Sequence, residues 1–90
     1  MAYIDTYRFR ARLPKADLLH FVASAPAGQY VFLVPPGPDL FGLFAGPDVL
    51  EFFCNECRVE ELEVIDRAEW ARLRRQPDCR IWGDASLLDL

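Results

Sequence analysis

The chain of 90 residues reads as one α+β domain spanning 1–90. Three observations predict it. A period-two stretch opens the chain, two apolar runs flank a proline- and glycine-rich turn near its middle, and helix-start chemistry recurs between the strand-like segments. Hydrophobic residues make up 52% and aromatics 13%, enough apolar material to build a core and far from a disordered composition.

Tyr3 to Leu13 alternates. Tyr3, Tyr7, Phe9, Ala11 and Leu13 share one side with Asp5, while Thr6, Arg8, Arg10 and Arg12 point the other way and Ile4 breaks the pattern. This is a strand with one buried face. Pro14 then opens a helix, where its missing N–H is not needed. Leu18, Leu19, Val22 and Ala23 form the expected apolar stripe, Asp17, His20 and Ser24 lie opposite, and Pro26 and Gly28 end the helix.

Gln29 to Val34 is a second strand, rich in β-branched and aromatic residues. Pro35-Pro36-Gly37-Pro38-Asp39 is turn chemistry, and Leu40 to Ala45 is a third strand, so the two strands make a hairpin candidate. The third strand is apolar on both faces, which predicts a central position.

Pro47 and Asp48 suit the first turn of a second helix, which runs to about Cys57. Val59 to Ile65 reads as a fourth strand. Asp66-Arg67-Ala68-Glu69 resembles a capping box and starts a third helix that ends near Arg75, before Pro77. Cys79 to Trp82 is a short fifth strand, and Asp84 to Leu90 is a tail whose order the pattern leaves open. The order β-α-β-β-α-β spells the ferredoxin-like pattern, a four-stranded antiparallel sheet with two helices on one face, here with a C-terminal helix and short strand added.

Net charge is −4, which argues against gross affinity for nucleic acid and permits a basic partner. The charge is unevenly distributed. Arg8, Arg10, Arg12 and Lys15 make the start basic. From Asp39 to Asp66 the only cation is Arg58, against Asp39, Asp48, Glu51, Glu56, Glu60, Glu61, Glu63 and Asp66. Arg67, Arg72, Arg74 and Arg75 follow as a second basic block. The opening residues lack the pattern of a secretory signal, no apolar run approaches a membrane span, and three cysteines fit reduced thiols, so a cytoplasmic protein is expected.

Candidate chemistry is sparse. Cys54-Asn55-Glu56-Cys57 lies late in its helix, where the dipole opposes thiolate, and Leu50, Phe53, Cys54 and Cys57 form one apolar stripe, so these cysteines are expected in the core. Cys54, Cys57, Cys79 and His20 would supply a zinc set, but no second knuckle accompanies the first, and no metal or cofactor is expected. Asp17, His20 and Ser24 share a helix face that offers neither pocket nor oxyanion hole, so no enzyme is expected.

Two surfaces remain. The first is acidic: Asp48, Glu51, Asn55 and Glu56 on the second helix, with Glu60, Glu61 and Glu63 on the following segment. It suits docking on a basic protein surface. The second is the Arg8, Arg10 and Arg12 row, which beside exposed aromatics would suit RNA or DNA. If apolar, the same sheet face would be covered by the third helix or by a second copy as a homodimer. The expectation is a non-enzymatic protein-binding module, a small acidic inhibitor of the anti-CRISPR or immunity-protein kind acting on a nucleic-acid-handling protein. A nucleic-acid-binding module is the alternative, and a small zinc domain the second alternative.

Overall fold

Backbone hydrogen bonding joins five strands into one sheet in the computed structural model, which describes residues 6–89. The elements run β1 (Tyr7–Arg12), α1 (Lys15–Ser24), β2 (Tyr30–Val34), β3 (Leu40–Phe44), α2 (Pro47–Glu56), β4 (Glu61–Val64), α3 (Arg67–Arg74), β5 (Arg80–Gly83) and a 3-10 turn, Ala85–Asp89. The strand order is β4-β1-β3-β2-β5, and every neighbouring pair is antiparallel. β3 is the central strand, as its two apolar faces predict. The four-stranded sheet expected from the sequence gains a fifth strand because β5 pairs with the open edge of β2. Tyr3 to Asp5, assigned to the first strand in the sequence reading, lie outside the described residues.

Strand alternation divides the side chains between two cores. Phe9, Ala11, Tyr30, Phe32, Leu40 and Phe44 face α1 and α2, where Leu18, Phe21, Val49, Phe53 and Cys57 meet them. Val31, Leu33, Phe41 and Leu43 face the opposite way, against Trp70 and Leu73 of α3 and Leu88 of the 3-10 turn. In the register, Phe9 and Phe32 flank Gly42 from the two neighbouring strands. A Cβ at Gly42 would run into the Phe9 ring and press on Phe32, so the glycine is what lets those rings close over the centre of the sheet.

Both helices on the first face are rotated relative to the expected stripes. In α1 the buried residues are Leu18 and Phe21, with Val22 and Ala25 packed beside them, whereas Leu19 is 54% exposed and Ala23 exposed. Phe21 sets the phase: its ring meets those of Tyr30, Phe32, Phe44, Phe52 and Phe53, and no rotation that buried Leu19 would keep those contacts. In α2 the buried residues are Val49 and Phe53, which leaves Cys54 exposed and Leu50 half-buried.

On the second face, Asp66 caps α3 by accepting a hydrogen bond from the Glu69 N–H at 2.8 Å, as the capping-box pattern predicts. The segment read as a tail docks here. Leu88 is buried, and its carbonyl accepts from the Trp70 indole N–H at 3.3 Å and from Arg74 at 3.0 Å. The apolar sheet face that the sequence left open to a second copy is therefore covered within the chain.

Candidate interaction surfaces

The arginine row does not form an open face. Arg8 is 9% exposed and lines a recess with Arg67, Trp70, Arg74 and Leu88 under the edge of α3. Burial lowers its pKa, and the nearby charge of Arg67 adds to the effect. Arg10 and Arg12 are held in an ion network with Asp39, Glu61 and Glu63. Arg10 donates to Glu63 at 2.9 Å, to Asp39 at 3.2 Å and to Glu61 at 3.4 Å, and the Arg12 Nε donates to Asp39 at 2.8 Å. The network follows from the register, which sets Arg10 opposite Glu63 and Arg12 opposite Glu61. Asp39 arrives from the end of the Pro-rich turn, and the hydrogen bond from Arg12 holds its carboxyl below the usual range. The aromatics that a nucleic-acid-binding sheet would display, such as Phe41, lie beneath α3.

The acidic stretch is split between the two faces. Glu61 and Glu63 point to the α3 side with Arg10, opposite the face that carries α2. Asp48, Glu51, Asn55 and Glu56 are exposed on α2, whose residues include no Lys or Arg. Asp48 lies in the first turn, where a negative charge favours the helix dipole, while Glu56 lies in the last turn, where it opposes it. The His20 imidazole lies beside Glu56, with Nε2 at 3.8 Å from Oε1. Glu60 is exposed in the connection to β4.

The cysteines and the histidine do not converge. Cys57 packs in the α1/α2 core, where burial raises its thiol to about 11 and the S–H approaches the Asp17 carbonyl at 3.6 Å. Cys79 packs against the α3 core on the other side of the sheet, and burial also raises its pKa. The core reading therefore fits Cys57, whereas Cys54, one helical step out of phase, is exposed. Among the described residues no group of three or more His, Cys, Asp or Glu side chains is placed to hold a metal ion. Asp17 is occupied too: Arg58 donates to it from its backbone N–H at 2.8 Å and from its guanidinium, lowering the carboxyl pKa and tying α1 to the segment after α2.

One surface was not anticipated. β4 is an edge strand, exposed along its length, and its apolar residues Leu62 and Val64 stand on the α1/α2 face at 46% and 80% exposure. They border a recess of about 270 Å³ with Tyr7, Phe9, Leu50 and Ile65. The alternation Glu61-Leu62-Glu63-Val64 is visible in the sequence, but that α2 stops short of covering it is a property of the packing. No helix among the described residues is long and apolar enough to cross a membrane. No protein-family model matches the chain, and no curated protein or solved structure is detectably similar to it.

Proposed function

We propose that this chain is a non-enzymatic protein-binding domain built on a ferredoxin-like core, in which β4-β1-β3-β2 with α1 and α2 form the βαββαβ unit, and α3, β5 and the 3-10 turn close its second face. It docks through the outer face of α2 onto a basic surface of another protein. The observation that carries this reading is the charge ledger. Arg10, Arg12 and Arg58 are engaged by carboxylates of the chain itself, while Asp48, Glu51 and Glu56 stand together on a helix without a cation. The excess negative charge of the molecule is thus displayed where it raises association rate and selects cationic partners. A cationic groove of a nucleic-acid-handling protein is the natural complement, and the role is that of a small acidic inhibitor of the anti-CRISPR or immunity-protein kind.

Charge reversal tests the reading. Asp48 and Glu51 are exposed, so Asp48→Lys with Glu51→Lys leaves the fold intact while inverting the face. Recovery of the partner bound by the native chain is expected to fall at least ~tenfold, the equivalent of about 1.4 kcal/mol, and to weaken as salt rises. Recovery that is unchanged by the double reversal and by salt would overturn the proposal. Micromolar binding to oligonucleotides at physiological salt would favour the nucleic-acid alternative instead.

A further inference from the structure

We infer that the free edge of β4 is a strand-addition site for an extended partner segment in which Arg or Lys alternates with apolar residues. This inference rests on the protein-binding reading and names a second element of the same contact. Among the described residues, β4 pairs with β1 on one side and with no strand on the other. The Ile65 N–H donates to the Arg8 carbonyl. By the alternation of an antiparallel ladder, Glu63 therefore faces β1, and the N–H and C=O groups of Leu62 and Val64 point to the open edge. Those groups are the template that an added strand completes.

The chain itself displays the complement. On its paired side β4 takes β1, whose Arg10 and Arg12 meet Glu63 and Glu61 while Phe9 and Ala11 stand beside Val64 and Leu62. The side chains of β4 are presented equally to a strand on its other side, so the open edge offers the same alternation of carboxylate and apolar group. Among the described residues the network's charge is also unbalanced: two guanidiniums, Arg10 and Arg12, face three carboxylates, Asp39, Glu61 and Glu63. Glu61 and Glu63 keep side-chain exposures of 51% and 65%, enough to accept a further cation each. The apolar side of the incoming strand would cover Leu62 and Val64 and close the recess beside Leu50.

A second copy fits this edge poorly. An antiparallel self-pairing with Leu62 opposite Leu62 sets Glu61 opposite Glu63, and one with Glu63 opposite Glu63 stacks two carboxylates directly. The intermediate register sets Glu61 against Val64 and mixes the faces. The glutamates thus discourage edge-to-edge association and favour a basic strand.

The test uses the isotope-labelled full chain and a capped peptide with the β1 sequence, Tyr-Arg-Phe-Arg-Ala-Arg, as the probe. Strand addition is expected to shift the amide resonances of Glu61 to Val64 and to slow hydrogen exchange at Leu62 and Val64 by ~tenfold or more at saturation. Val64→Lys, at a position exposed enough to leave the fold intact, is expected to weaken the peptide about tenfold. A peptide in which glutamate replaces each arginine is expected not to bind. No change in exchange at Leu62 and Val64 would overturn the inference. So would shifts centred on β3, which would mean that the peptide displaces β1. Shifts confined to α2 would sink strand addition yet leave the acidic-helix reading standing. Protection at β4, together with partner recovery insensitive to Asp48→Lys and Glu51→Lys, would keep the strand site and remove the helix reading.

Discussion

The two faces of the sheet are built from different materials. The α1/α2 face is a continuous aromatic layer in which Phe9, Phe21, Phe32, Phe44 and Phe53 contact one another at ring-centroid distances of 4.8 to 6.1 Å. The α3 face is smaller and divided. Trp70, Leu73 and Leu88 cover its centre, and an Arg–carboxylate network occupies the β1–β4 end. Close-packed rings have no alternative arrangement of similar energy, so the first face fixes the fold. Exposed ion pairs contribute little to stability and are screened by salt. The second face, with its open network, is therefore held less tightly than the first.

If that contrast is right, truncating the aromatic layer is the most damaging single change. Phe21→Ala removes the ring that touches five others in a fully buried position and is expected to cost about 3–5 kcal/mol in urea unfolding, enough to leave a domain of this size barely folded. Leu88→Ala truncates the cover on the opposite face at its rim. It is expected to cost about 2 kcal/mol, because the cavity opens toward solvent and the backbone hydrogen bonds from Trp70 and Arg74 do not need the side chain. Equal losses for the two variants would abolish the distinction between the two faces.

The same contrast explains what was legible in the sequence. Period-two alternation at Tyr7, Phe9 and Ala11 and the apolar runs around the Pro-rich turn report directly on burial, and β1, β2 and β3 form where they predict. The capping box at Asp66 is equally local. Helix phase was harder to read, since Leu18-Leu19 offers two adjacent leucines and only contact with the sheet decides between a stripe through Phe21 and one through Leu19. Cys54 was misplaced for the same reason. The acidic surface divides because residues close in sequence, Glu56 and Glu61, belong to a helix on one side of the sheet and to a side-chain row on the other. Local pattern assigns each residue a side of its own element, but which element faces which is settled by strand order. The Arg10–Asp39 contact spans 29 positions along the chain and has no local signature.

The smallest effect expected concerns the ion network. Asp39 is its junction, bonded to both Arg10 and Arg12, and its carboxyl is held below the ordinary value of 3.8 chiefly by the Arg12 hydrogen bond. A carboxyl whose pKa is depressed on folding adds stability above its unfolded value and loses it as pH falls through the lower folded value. Native stability should therefore decline from about pH 4 downward, and Asp39→Asn should flatten that decline without abolishing it. Asp17 and Asp84, depressed by Arg58 and Ser86 respectively, contribute in the same direction and persist in the variant. Near neutral pH the variant is slightly less stable than the native chain, and the gap closes as salt is raised because the network is close to solvent. Urea titrations of both proteins at several pH values, at low and high salt, provide the measurement. A gap that persisted in high salt would mean that the network is a buried structural element, and the second face would then resemble the first more than its composition suggests.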